Sequence, residues 1–399
     1  MVTFPWNSGH ITISLPALAN VTRLEPAYPE PITPAELHHF IKDDLNPLRF
    51  ELKNAQQIIC IIEDPSRISK TADIVASICQ TIQEYRGSLF GFEIVVAAGA
   101  HFQIQAEDLL KKVGSYPSPF SLSIHDCNDT QNIAFIGNSP DGIPLLFNKK
   151  IVNADLRLTI STMNIHPLAG LSGGAKIFLP GVAGLKTIEA FHSLPVGTPG
   201  MENSPMRKLI NQVLDIFPVR HSWHLLSNPK GEIFKIVSGK INDGFHKAGI
   251  ELLKIVTIAK PRLPADLLFL GCRPFHQNLI GTFKSLHQIP KLLKPGGSAV
   301  LFNEAPQGIG FHHWRTEPTV VLEQKTKYQQ LLKDYQVALF SPGSSLEQFR
   351  TLFPDTFNFL KTESELRGIL DGQNSTTQSQ TIVIPYAPIT LVEEPKCSS

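Results

Sequence analysis

The residues able to do chemistry crowd into one stretch of this 399-residue sequence, HPLAGLSGGAKIFLPGVAGLKTIEAFH, from His166 to His192. A lysine in a glycine-rich loop suggests phosphate, because glycine lets backbone N–H groups close around an anion. Lys176 is not part of a triphosphate loop, however. GGAKIF lacks the G-x-x-x-x-G-K-[ST] spacing and the hydroxyl that would meet magnesium. Two readings of Lys176 stay open: a solvated side chain on a turn, or an amine desolvated between Ala175 and Ile177 and used as a nucleophile. His101, His166 and His192 fit neither HExxH nor a close zinc pair. One histidine can hold a borderline metal whose other ligands come from a cofactor. The others can act as acid and base, as a reaction on two faces of one carbon requires. EDPSRISK, from Glu63 to Lys70, adds Arg67, which can clamp a carboxylate through two parallel hydrogen bonds. Asp64 can orient Arg67 or a histidine. The plainer alternative is a turn with a surface ion pair.

These groups need elements that bring them together. QQIICIIED is a short continuous apolar run that reads as a buried strand, FEIVVAAGAH is a second of the same type, and ADLRLTIST is a third strand. TADIVASICQTIQEYR between them has helical periodicity, as do SPMRKLINQVLDIF and FHKAGIELLKIVTIAK. Thr33 caps a helix starting at Pro34. Strands alternating with helices predict an α/β fold with mostly parallel sheets. Ligands in such sheets bind beyond the carboxyl ends of the strands, where Asp64, Arg67, His101 and the glycine-rich stretch all fall. A fresh start near Pro261 leads into ADLLFLGC, SAVLFNEA, YQVALFS and TIVIPY, strands of a second α/β unit. The expected division is 1–262 for cofactor and substrate and 263–399 for a C-terminal α/β domain, with the last strand and tail packing back on the first domain. The active site is expected in the cleft between them. DGQNSTTQSQ reads as a loop, FHHWR as a loop, and the tail after Glu393 as frayed.

Composition bounds the function. The net charge is +1, which disfavours nucleic-acid and membrane-surface partners. No basic residue precedes Arg23 and no long apolar run exists, so neither a signal peptide nor a membrane helix is expected. Five scattered cysteines without a CxxC pair suggest a reducing cytoplasm. No glycine-rich fingerprint follows an early strand, so the turn LKPGGSAVLF does not indicate a dinucleotide or methyl-donor fold.

The motifs together resemble the lactate racemase family, the nickel-pincer-nucleotide-dependent racemases and epimerases of 2-hydroxy acids. His166, SGGAK (172–176), LPGVAG (179–184) and FHSL (191–194) resemble its most specific segment. DPSR (64–67), AAGAH (97–101) and NSPMR (203–207) resemble further motifs. The resemblance implies that Lys176 is joined through a thioamide to a pyridinium-3-thioamide-5-thiocarboxylic acid mononucleotide, which carries nickel. His192 would be the protein's nickel ligand, and Ser172, Gly173 and Gly174 would let backbone approach the cofactor. His101 and His166 would be the acid-base pair. Arg67 would hold the substrate carboxylate with Asp64 supporting it, and Lys284 would bind substrate. Partners would be a small 2-hydroxy acid and the enzymes that make and insert the cofactor. The second half departs from the family. Ile280 stands where a tyrosine is usual, Gln277 where an acid is, and Arg273, Pro274 and Phe275 replace a Gly-Tyr-Pro turn. A larger or more apolar hydroxy acid, or a sugar acid, is then as fitting as lactate. The competing class is a non-catalytic protein that binds cofactor or hydroxy acid.

Overall fold

The computed structural model describes residues 1–6, 9–14, 20–101, 104–115, 120–166, 169–195, 204–310, 317–371 and 379–394. FHHWR, the middle of DGQNSTTQSQ and the end of the tail lie outside them. The chain divides into two compact units, one of residues 28–254 and one of 1–27 with 255–399.

In the unit of 28–254, six strands form one sheet in the order Ile233–Gly239, His221–Ser227, Leu156–Thr162, Ile58–Glu63, Phe92–Ala97, Ser121–Ile124. Neighbours are parallel except at the hairpin that ends the sheet. Ile58–Glu63 and Leu156–Thr162 are buried at every residue, as strands covered on both faces must be. The helix Pro34–Leu45 starts on a capping box between Thr33 and Glu36. Its stripe of Leu37, Ile41 and Leu45 shares a core with Ile74, Ile78 and Ile82 of the helix Ala72–Arg86. The glycine-rich stretch follows Leu156–Thr162 directly.

The other unit holds a wholly parallel sheet in the order Asn358–Leu360, Gln336–Phe340, Leu293–Phe302, Ala265–Gly271, Gln380–Ile384, Asn20–Arg23. The expected boundary put residues 1–27 in the first domain, but they belong here. Asn20–Arg23 pairs with Gln380–Ile384, and Phe4 of the hairpin Val2–Trp6 with Gly9–Ile13 stacks on Phe302 at 4.5 Å. Val2, Phe4 and Ile13 are an alternating apolar set that buries one hairpin face; the prolines that follow masked it in the sequence. The strand Gln380–Ile384 lies within this sheet. The helix Ile241–Val256 also stops short of its apolar run, because Thr257–Ala259 pairs with Leu391–Glu393 instead. Thr257 and Ile258 are β-branched, which favours strand over helix.

Candidate active site

Ile58–Glu63 lies between Phe92–Ala97 and Leu156–Thr162, all parallel. The loops leaving their carboxyl ends therefore open on one side of the sheet. Asp64 follows the first strand and is 5% exposed. Its Oδ2 lies 3.4 Å from Nδ1 of His101, and its Oδ1 accepts the Ser66 N–H at 2.7 Å. Burial raises the carboxyl pKa, but the pull of His101 and of Arg67, with the hydrogen bonds from His101 and Ser66, holds it well below the usual carboxylate range. An ionised carboxylate only accepts, so Nδ1 of His101 carries a proton toward it and a neutral His101 has its lone pair on Nε2. His166 is engaged the other way. Its Nδ1 accepts the Ala169 N–H at 3.1 Å, so a neutral His166 carries its proton on Nε2.

The SGGAK loop folds back on the end of Leu156–Thr162. Ser172 N–H donates to the Asn164 carbonyl at 2.8 Å, and the Asn164 N–H donates to Ser172 Oγ at 3.1 Å. Gly174 N–H donates to Ser161 Oγ at 3.0 Å. Gly173 and Gly174 have φ of 88° and 60°. A side chain on Gly173 would meet Met163 Sδ at 2.7 Å and one on Gly174 would meet Phe245 at 2.6 Å. These contacts bend the loop that presents Lys176, a half-buried side chain on the short turn Gly174–Ile177. His192 ends the helix Leu185–His192. Its Nδ1 donates to the Ile188 carbonyl at 2.8 Å, which leaves Nε2 as the lone-pair nitrogen. A metal-ligating histidine is commonly fixed in this way. Among the described residues no group of three His, Cys, Asp or Glu side chains is placed to hold a metal ion. Lys176 and His192 fit a cofactor that brings its own donors to the metal: one offers an amine for covalent attachment, the other one oriented nitrogen.

Arg67, His101, His166, Lys176 and His192 are all partly exposed, although most of their neighbours are buried. Lys284 belongs to the other unit, on the turn Leu279–Lys284 capped by Asn278, and its Nζ lies 3.2 Å from the centre of the Phe275 ring. Ile280 packs against that unit's core. Arg273 meets buried Glu304, with its Nε 2.9 Å from Oε1. Two buried cations support the first unit, Arg207, noted in the sequence only as the end of NSPMR, and Lys112, which the sequence reading missed. Arg207, 1% exposed, lies over the Phe245 ring at 4.5 Å and donates to the Ala169 and Leu171 carbonyls. Lys112, 4% exposed, pairs with Glu63. A Lys-Lys doublet near a helix end reads as solvated, so no signal marked Lys112.

Residues 7–203 match the family model of the lactate racemase N-terminal domain. The chain belongs to the lactate racemase family. It is 26% identical over 237 residues to the lactate racemase of Thermoanaerobacterium thermosaccharolyticum, covering 56% of this chain and 55% of that protein. It is 28% identical over 236 residues to that of Lactiplantibacillus plantarum, covering 55% and 54%. The chain thus spans about half the length of the curated relatives it matches. The lactate racemase apoprotein of T. thermosaccharolyticum shares the fold at a TM-score of 0.79 and 20% identity, over 98% of this chain and 100% of that one. A Thermotoga maritima protein shares it at 0.70 and 15%, over 91% and 98%. Among the described residues no helix is long and apolar enough to cross a membrane.

Proposed function

We propose that this member of the lactate racemase family is an isomerase that inverts the hydroxyl-bearing carbon of a 2-hydroxy acid, removing a hydride from that carbon and returning it to the other face. The observation that carries the reading is the pair of histidines beyond strands of one sheet, His101 and His166, whose Nδ1 atoms are engaged in opposite senses. Arg67 holds the substrate carboxylate through two parallel hydrogen bonds. Asp64 fixes the ring of His101, so Nε2 faces the substrate as a base and takes the hydroxyl proton. His166 offers Nε2–H to oxygen. For His166 to serve as the base for the opposite hand, it must move its proton to Nδ1 and give up the Ala169 bond, a cost of about 1 kcal/mol. Lys176 would carry the nickel-pincer nucleotide and His192 would ligate its nickel through Nε2. When bound, that group supplies the hydride acceptor. By family resemblance Lys284 is a further substrate-binding cation. Enzymes that make and insert the cofactor are the implied partners. The buried free thiols of Cys60, Cys79, Cys127 and Cys272 suit a reducing cytoplasm.

Cofactor-loaded protein is to be tested by chiral analysis on lactate, on longer and more apolar 2-hydroxy acids and on sugar acids, since Ile280 stands at the family's tyrosine position. His101→Ala with His166→Ala is expected to lower turnover at least about 100-fold, the scale of lost general acid-base catalysis, with nickel retained. Loss of nickel in that variant would contradict this division of roles.

A further inference from the structure

Glu63 and Lys112 form an ion pair whose side chains are 9% and 4% exposed. Lys112 Nζ donates to Glu63 Oε1 at 2.9 Å, to the Arg67 carbonyl at 3.0 Å and to the Ser69 carbonyl at 2.9 Å. An ammonium has three donors, and these three bonds use them all. Glu63 Oε2 accepts the Thr162 N–H at 2.7 Å, and the Thr162 hydroxyl also bonds Glu63. That hydroxyl lies 2.7 Å from Ser69 Oγ, which is 2.8 Å from Ser227 Oγ. From the other side, Thr71 Oγ1 donates to the Lys112 carbonyl at 2.6 Å. One buried ammonium thus ties the helix Ala106–Val113 to the ends of Ile58–Glu63 and Leu156–Thr162 and to the loop 64–69.

Stability alone explains such a pair poorly, because apolar residues of similar volume often serve as well or better. Its distinctive product is geometric. Two of the three Lys112 bonds end on carbonyls of the loop that follows Asp64, and one of those carbonyls is that of Arg67. Arg67 is partly exposed, and its backbone is pinned at its own carbonyl. We propose that Lys112, anchored by Glu63, is a positioning residue that sets the Arg67 guanidinium against the substrate carboxylate. This rests on the reading of Arg67 as the carboxylate clamp.

Lys112→Met alone would strand a buried carboxylate and is expected to unfold the unit. The test therefore uses Lys112→Met with Glu63→Gln, which removes both charges and keeps an acceptor for the Thr162 N–H. In the cofactor-loaded full chain, KM for the 2-hydroxy acid that the unsubstituted chain inverts fastest among lactate, longer apolar hydroxy acids and sugar acids is expected to rise about tenfold or more while kcat falls less, since a misplacement near 1 Å already costs up to about 100-fold. In an Arg67→Met background the same pair of substitutions should change KM by less than about twofold, because residues acting through one contact do not add. An unchanged KM, or an equal rise in both backgrounds, overturns the proposal. Amide exchange at Ser66 and Arg67 decides the anchor without turnover: faster exchange in the double variant supports it and unchanged exchange overturns it. If the unsubstituted loaded chain racemises no hydroxy acid, the racemase reading falls, and the exchange result still judges the anchor.

Discussion

Both six-stranded sheets run through apolar cores, but the loops at their strand ends carry different charge arrangements. In the unit of 28–254, the strand Ile58–Glu63 ends in two successive buried carboxylates. Glu63 faces inward to Lys112 and Thr162, while Asp64 faces His101. The inner pair holds the loop and the outer pair leads to half-exposed groups. In the other unit the corresponding ends are quieter. Asn303 is wholly buried and bonds the Asn278 carbonyl at 3.0 Å and Thr282 Oγ1 at 2.7 Å, and Glu304 meets Arg273. Both ends thus bury a charged pair, but Glu63 meets a lysine 4% exposed that also bonds the following loop, whereas Glu304 meets an arginine 22% exposed. The sequence resembles its family most in the first unit, where the charges must be held, and departs at Arg273, Gln277 and Ile280 in the second.

The contrast can be broken at the glycines first. Gly174→Ala puts a methyl group in the left-handed region and against Phe245, where it would lie 2.6 Å away. The expected loss is about 3 kcal/mol in urea unfolding, combining backbone strain with overpacking. Gly296 in the second unit has a φ of +80° and nothing within 4 Å of an added methyl. Gly296→Ala should cost only the backbone part, about 1 kcal/mol, and equal losses at the two sites would show that the SGGAK loop is not tightly seated.

Each unit also buries a neutral histidine, and acid reads them separately. Burial pushes His224 down to about 3 and His287 down to about 4. An unfolded chain takes up a proton at each near pH 6.5 while the folded chain refuses it. Stability therefore falls as pH drops below about 6.5, by up to about 1.4 kcal/mol per pH unit for each group, until the folded pKa is reached. His224→Leu should shrink the difference between urea midpoints at pH 7 and pH 5, and His287→Leu should do the same for the second unit. An unchanged difference would mean that neither ring resists protonation.

Most of the first sheet was legible, because Ile58–Glu63 and Phe92–Ala97 are largely apolar runs and Leu156–Thr162 alternates apolar with polar residues, each leading into a polar or glycine-rich loop. That pattern also located Asp64, His101 and the glycine-rich loop. The hairpin Val2–Trp6 with Gly9–Ile13 was not legible, since each arm is short and a proline-rich segment follows. Nor was the pairing of Thr257–Ala259 with Leu391–Glu393, which joins segments distant in sequence. Lys112 stayed hidden because its role comes from packing under a loop 45 residues earlier. Ser172 and Gly174 also bond Asn164, Thr162 and Ser161, contacts that shape the loop and that no motif announced.

In the reading proposed above, Lys176 and His192 would serve a covalent nickel-bearing cofactor. Its most direct test is the intact mass and nickel content of the chain made together with the cofactor-synthesis enzymes. A stable mass increase mapped to Lys176, absent in Lys176→Arg, is expected, with about one nickel per chain as a single cofactor-borne metal implies. His192→Ala should keep the mass increase and lose nickel. An unmodified Lys176 without nickel, in a host that matures a known lactate racemase, would contradict it.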